Sequence, residues 1–423
     1  MNILLIQPRM HKRPMDTDLK TRMSPSLALL TLQSLTPPGH EILICNENCE
    51  KLNETIDVDL VGITVTLDVM PRACEIARAF QRRGIPVVAG GIHVTCSPED
   101  CAPHFDAICV GPAERVWVRM IEDAGAGLLR KIYQDTQEFQ GGEIASPRYG
   151  VNPKHIFNNV VLTSRGCPNR CAFCYNSCKN RCYVTRPIAN VLRDIAALGT
   201  RHVLFIDDNF IGTPEYTREL LLAIKDMRLI WQAAVTADIL DMPDLLDLMA
   251  QTGCKSLFIG LESINDASLQ SVNKHNNATR YEQLIDAIHS RGIMVNASMV
   301  FGLDGDGLDV FRRSLDWLVR MRVETLTSHI LTPYPGTLLH RRVVFQPKGM
   351  MAEELYVGYR WMYRQFYSLR NIARRLPKAK GQRVPYLLFN LFYRKYGRLT
   401  SAVARLIPMR VMGKLGAWMS YRA

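Results

Sequence analysis

Thr163-Ser-Arg-Gly-Cys-Pro-Asn-Arg-Cys-Ala-Phe-Cys-Tyr175 places three thiols, Cys167, Cys171 and Cys174, within eight residues at the spacing C-x3-C-x2-C. Three thiolates from one short loop can bind three irons of a cubane [4Fe–4S] cluster and leave the fourth iron open to a small molecule. Two other readings use the same residues. Structural zinc takes four ligands, often as two distant C-x2-C pairs, and Cys178, Cys182 or a histidine could supply the fourth. A disulfide suits this crowding less well. Cys178 and Cys182 are too few for a second cluster and read as core or loop cysteines.

The surroundings of the loop favour the cluster. Asn159–Ser164 is an apolar strand running straight into it, and a β-α period follows. Helices are expected over 187–198, 216–227, 245–251, 280–290 and 310–321, each followed by a strand, at 202–206, 230–236, 255–260, 294–301 and 325–331. Six such units make a partial (β/α)6 TIM-type barrel, with chemistry expected at the carboxyl ends of its strands. Those ends read Asp207-Asp208-Asn209, Thr236-Ala237-Asp238, Gly260-Leu261-Glu262-Ser263, Asn296 to Ser298 with Gly302, and Thr332-Pro-Tyr-Pro-Gly-Thr337. Any one rim Asp or Ser reads equally well as a helix N-cap. Five polar rims in succession, behind apolar strands, point to a ligand.

Upstream, Asn2–Ile6 is an apolar run stopped by Gln7-Pro8-Arg9, the pattern of a buried parallel strand. A helix over 26–35, strands at 41–45, 59–65, 85–89 and 107–110, and a helix over 72–83 predict a doubly wound parallel sheet. Its strand ends carry Thr64, Gly90-Gly91-Ile92-His93 and Gly111-Pro-Ala-Glu114. Glycine pairs there allow close approach of a ligand, or simply a tight turn. His93 alone reads more readily as a turn or core histidine than as a metal ligand. No G-x-G-x-x-G follows the first strand, so a dinucleotide site is not supported.

Two family resemblances rest on these residues. Val87-Val-Ala-Gly-Gly-Ile-His-Val-Thr-Cys-Ser-Pro-Glu99 with Asp106-Ala-Ile-Cys-Val-Gly-Pro-Ala-Glu114 resembles the cobalamin (B12)-binding domain that precedes the barrel in many radical S-adenosylmethionine (SAM) enzymes. The D-x-H-x-x-G of the cobalt-ligating type is absent, and Gly111-Pro112-Ala113 stands where Gly-Glu-Gly is usual, so the resemblance implies either cobalamin bound with no histidine on cobalt, with Thr64, Gly90, Gly91, His93, Gly111 and Glu114 around it, or a relic domain that binds nothing. Residues 155 to 345 resemble the radical SAM superfamily. That resemblance implies a [4Fe–4S] cluster on Cys167, Cys171 and Cys174, and SAM contacted by Phe173, Asp207, Asp208, Asn209, Glu262, Ser263, Asn296 and Ser298. It further implies reductive cleavage of SAM to a 5′-deoxyadenosyl radical, used for cobalamin-linked methylation or other remodelling of a natural product, lipid or tetrapyrrole-like substrate. An electron donor such as flavodoxin or ferredoxin is then required.

The chain divides accordingly into 1–150, 151–345 and a mostly helical region 346–423. With 423 residues, 47% of them apolar, it has ample material for cores. The 12 cysteines scattered through a large chain, with no signal-like opening segment, lead to the expectation of a reducing, cytoplasmic setting. No apolar run approaches the roughly 18 to 20 residues that span a bilayer.

The net charge of +12 is local: residues 355–423 hold 15 Lys and Arg and no acid, leaving 37 basic against 40 acidic groups before them. That tail suits an anionic membrane surface at the inner face, a solvated helical extension or, least well for want of an RNA-binding signature, nucleic acid. Tyr359, Tyr363, Phe366 and Tyr367 are expected as a core-facing aromatic stripe. Tyr363-Arg-Gln-Phe-Tyr-Ser368 is similar to a segment of B12-type radical enzymes, which have a longer insertion where Thr337 and Val343 here are separated by five residues. The competing reading of the whole is a non-catalytic zinc- or ligand-binding protein with a membrane-associated basic tail.

Overall fold

The computed structural model describes residues 1–11, 24–150, 155, 159–178, 182–274, 276–340 and 348–392. Residues 393–423 of the basic tail and 341–347 of the shortened segment after Thr337 lie outside the described residues.

Six parallel strands form the first sheet: β1 (Asn2–Gln7), β2 (Glu41–Asn46), β3 (Leu60–Thr64), β4 (Val87–Gly90), β5 (Ala107–Val110) and β6 (Ile132–Gln134). Their order is β2-β1-β3-β4-β5-β6. Val61, Ile63, Ala89 and Ile108 face one helical layer, and Ile3, Leu5, Val88 and Cys109 face the other, so each run is buried on both sides. The sixth strand, only three residues long, was not expected from the sequence.

The barrel begins with β7 (Val160–Val161), shorter than the strand expected over 159–164. Thr163 and Ser164 leave the sheet because the Asp207 carboxylate captures both, and the chain turns into a small hairpin of β8 (Ser164–Arg165) and β9 (Val184–Thr185). Then come β10 (His202–Phe205), β11 (Ile230–Val235), β12 (Cys254–Glu262), β13 (Met294–Phe301) and β14 (Thr325–Ile330), all parallel in the order β14-β13-β12-β11-β10-β7. Trp231, Leu257, Ile259, Val295 and Leu326 point outward into the helix-packed core. Among the described residues β7 and β14 are sheet edges, so the barrel is partial.

An edge strand carries unpaired backbone groups that need covering. The helix Ala352–Phe366 and the residue after it cover β14 with tyrosine hydroxyls. Ser328 N–H donates to Tyr363 Oη at 2.9 Å, and Tyr359 Oη donates to Ser328 C=O at 3.2 Å. Leu326 N–H donates to Tyr367 Oη at 3.1 Å, which itself donates back to Leu326 C=O at 3.0 Å. All three rings are buried, so the stripe is core-facing and also replaces a seventh strand. Arg375, fully buried, continues the seal by donating to Val323 and Glu324 carbonyls at 2.7 and 2.8 Å with its guanidinium against the Phe366 ring. Among the described residues no helix is long and apolar enough to cross a membrane.

Candidate active site

Backbone order around the three cysteines originates in Asp207, at the carboxyl end of β10. This buried carboxylate accepts from Thr163 N–H at 3.1 Å, Thr163 Oγ1 at 2.8 Å, Ser164 Oγ at 2.6 Å and Ser164 N–H. Burial nevertheless pushes its pKa up to about 6, against the opposing effect of those donors. Its oxygens are therefore committed to the strand that carries the cysteines. Gly166 then takes φ 84°, with its missing Cβ position 2.0 Å from Cys182 C=O, which forces glycine before Cys167.

Further along the loop, Ala172 N–H donates to Val272 C=O at 2.9 Å and Leu339 N–H to Ala172 C=O at 2.8 Å. Phe173 packs against Ala172, Val272, Val300, Leu303 and Leu331. The loop is thus tied to the segments after β12 and β14. Burial above all raises the pKa of Cys167, Cys171 and Cys174, the last to about 12; nearby carboxylates add to this, Asp208 at Cys167 and Cys174 and Glu262 at Cys171. Such thiols ionise when a cationic centre compensates them. Among the described residues no group of three or more His, Cys, Asp or Glu is placed to hold a metal ion. A cluster needs no such point, since each cysteine binds a different iron. The shielded all-thiol donor set on one pinned loop fits a cluster.

Across from the loop, Glu262 ends β12 with φ 65° at a register shift against β13. Its carboxylate is buried, accepts from Ser298 Oγ at 3.2 Å and lies 3.6 Å from Lys274 Nζ. Burial raises the Glu262 pKa, opposed by Lys274 and Ser298. Burial alone would lower that of Lys274; Glu262 and all three cysteines outweigh it, so the ammonium stays charged. Lys274 was not singled out from the sequence. It sits in a polar loop with no local signal, and only the fold of the segment after β12 brings it under Glu262.

The other rim residues divide by what they touch. Asp208 is exposed at the mouth and accepts from Tyr175 Oη. Asn209 is buried, and its Oδ1 has no hydrogen-bond partner among the described residues, an acceptor suited to an ammonium donor. Ser263 Oγ accepts from Asn265 N–H at 3.1 Å, a turn contact. Asn296 lies deeper on the inner wall, accepting from Thr327 Oγ1 at 3.3 Å.

A cleft of about 320 Å³ lies at the carboxyl ends of β3, β4 and β5. Thr64, Gly90, Gly91, Gly111 and Glu114 line it, with an apolar wall including Leu32, Trp117 and Met120. Gly91 takes φ 107°, and a Cβ there would stand 2.8 Å from Val65 C=O. Thr95 Oγ1 bridges the two glycine loops, donating to Gly91 C=O at 2.9 Å and accepting from Gly111 N–H at 3.2 Å. Leu162, Arg165, Cys182 and Arg186 close the cleft from the barrel side. His93, on the helix that starts after Gly91, is buried and is not one of the lining residues. Apolar walls and glycine loops fit a large cofactor held without a histidine.

Residues 161–318 match the radical SAM superfamily, and residues 39–120 match the B12 binding domain. The chain thus carries a radical SAM domain preceded by a B12-binding domain, and it is an enzyme. The alternative of a non-catalytic zinc-binding protein falls with that assignment. Curated relatives include two Chlorobaculum tepidum proteins. Bacteriochlorophyllide d C-8(2)-methyltransferase is 26% identical over 364 residues, covering 80% of each chain. Bacteriochlorophyllide d C-12(1)-methyltransferase is 26% identical over 431 residues, covering 93% of each. Among solved structures, the radical SAM methyltransferase TsrM from Kitasatospora setae, with cobalamin and a [4Fe–4S] cluster bound, superposes with a TM-score of 0.60 at 18% identity, covering 80% of this chain and 76% of that one. This supports the shared fold.

Proposed function

We propose that this protein is a cobalamin-dependent radical SAM methyltransferase acting on a small, largely apolar substrate of the lipid or tetrapyrrole kind. The observation that carries the reading is the position of one short segment. The segment 160–167 brings the cysteine loop to the barrel mouth, and its Leu162 and Arg165 also wall the cleft of the B12-binding domain. Cys167, Cys171 and Cys174 hold the cluster, and Thr64, Gly90, Gly91, Gly111 and Glu114 bound the corrinoid cleft. When bound, these cofactors with SAM supply reductive C–S cleavage and a transferable methyl group.

The chain's own side chains do the positioning. Lys274 offers an ammonium to the SAM carboxylate, Glu262 with Ser298 takes hydroxyls of the ribose, and Asn209 accepts from the amine. Phe173 and its apolar neighbours keep water from the loop, which preserves the reactivity of a radical. The bacteriochlorophyllide relatives favour a tetrapyrrole-like substrate. A flavodoxin or ferredoxin is the proposed electron donor.

Anaerobic reconstitution should give about four iron and four sulfide per chain. With dithionite, hydroxocobalamin and SAM it should release 5′-deoxyadenosine and S-adenosylhomocysteine. Cys171→Ala as active as the parent would end the proposal.

Peripheral membrane contact is a second element of it. The helix Lys380–Phe392 exposes Val384 (62%), Leu387 (37%) and Leu391 (43%) on one stripe, while Tyr386 and Asn390 face the core. An outward apolar stripe inside an acid-free, 15-cation segment suits an anionic lipid surface. Full-length protein should float with vesicles of phosphatidylglycerol and phosphatidylcholine but not of phosphatidylcholine alone. Leu387→Ser/Leu391→Ser should abolish flotation; unchanged flotation would show that the stripe takes no part in membrane binding.

A further inference from the structure

Glu114 and Arg165 are 51 residues apart and belong to different domains. Glu114 closes the loop that follows β5. Arg165 ends β8, with Gly166 alone between it and Cys167. The contact is bidentate: Arg165 Nη1 donates to Glu114 Oε2 at 3.0 Å and Nη2 to Oε1 at 2.5 Å. The Glu114 side chain is 6% exposed, that of Arg165 24%. The guanidinium also lies over the Phe139 ring, 5.2 Å from its centroid. A planar fork on a carboxylate fixes both position and orientation, which a lysine would not do.

Both residues stand on the wall of the cleft, so a ligand filling it meets this pair. The segment they hold is stiff. Ser164, one residue before, is gripped by Asp207, and Gly166, one residue after, lies hard against Cys182 C=O. A displacement of Arg165 therefore passes to Cys167.

We infer that the Glu114–Arg165 pair couples occupancy of the cleft to the set of the cysteine loop, so that corrinoid binding and cluster assembly favour each other. The inference rests on the corrinoid reading of the cleft. Neither residue touches the reacting atoms; they are positioning residues. Coupling of this kind is reciprocal, and its size is typically about 5- to 150-fold in affinity.

The test titrates hydroxocobalamin by absorbance into full-length protein, once cluster-loaded and once iron-free, under anaerobic conditions. The parent should bind about tenfold more tightly when the cluster is present. Glu114→Gln and Arg165→Lys should bring the ratio to about one, as expected when two sites no longer communicate. A lesion that merely loosens the fold would weaken both states together and leave the ratio intact, and far-UV circular dichroism checks that each variant folds. A ratio of one in the parent, or a parental ratio in both variants, overturns the coupling while leaving the corrinoid site standing. No saturable binding in either state overturns the corrinoid reading and the coupling together.

Discussion

Gly260→Ala separates a cofactor-binding role of the Glu262–Lys274 pair from a structural one. Gly260 is not among the positive-φ glycines, so alanine can adopt its backbone. Exchanging glycine for alanine within a strand favours folding by about 0.5–1 kcal/mol. The added Cβ, however, would stand 2.5 Å from Glu262 Oε1 and 3.2 Å from Lys274 Nζ. Ordinary contact starts at 3.4 Å, so the carboxylate oxygen must retreat by about 0.9 Å (3.4 − 2.5). Both obstructing atoms are tips of flexible side chains, which swing aside at little cost. The displacement strains the 3.2 Å bond from Ser298 and the 3.6 Å pairing with Lys274. A misplacement of about 1 Å in a positioning group costs on the order of 10²-fold in rate. Reductive SAM cleavage, followed as 5′-deoxyadenosine, should therefore fall about 10²-fold, with iron content unchanged and Tm within about 3 °C of the parent. Cleavage within twofold of the parent would refute the assignment of the pair to SAM. A fall in Tm of 10 °C or more would show the pair to be structural.

Asp207 carries a pH signature. Its folded pKa of about 6 exceeds the ordinary 3.8, so between those values the folded state binds the extra proton and stability falls as pH rises. The contribution is fully present below 3.8 and is lost through about 6, a cost of roughly 3 kcal/mol at neutral pH. Relative to Asp207→Asn, the parent should gain on the order of 1 kcal/mol between pH 8 and pH 5 in urea unfolding; a flat difference would mean that the carboxyl does not titrate there. Tyr363→Phe removes the acceptor of the buried Ser328 N–H and should destabilise by about 1–3 kcal/mol without altering SAM affinity, whereas a loss under 0.5 kcal/mol would mean that the edge of β14 finds another partner.

The alternation of strands and helices was legible because each apolar run is short, continuous and closed by Gly or Pro. The cysteine loop stood out because its three thiols lie within eight residues. What depended on distant partners was not. The rim pattern marked Asp207 as facing a ligand, but its carboxylate turns back to Thr163 and Ser164, residues the sequence assigned to an uninterrupted strand. Lys274 carried no periodic or motif signal. The tyrosine stripe was visible as apolar rings at helical spacing, yet the role of its hydroxyls follows only from which strand is left at the edge. Glu114 and Arg165 were each in view, one at a strand end and one in the cysteine segment, but nothing in a linear pattern joins them.

The two edges of the partial barrel receive opposite treatment, and that difference organises the protein. At β14 the unpaired backbone is sealed by Tyr359, Tyr363 and Tyr367, with Arg375 below them, which makes residues 352–375 part of the barrel. At β7 no such helix intervenes among the described residues. Arg186 instead donates to Leu162 C=O at 2.8 Å, pairs with buried Asp194 at 2.7 Å and reaches Ser146 Oγ at 3.2 Å, while Leu162 and Arg186 both face the cleft. The unclosed side of the barrel thus becomes a wall of the cleft of the B12-binding domain. A complete eight-stranded barrel would place two further strands between them. With six barrel strands among the described residues, one short segment, 162–167, both walls the cleft with Leu162 and Arg165 and carries Cys167.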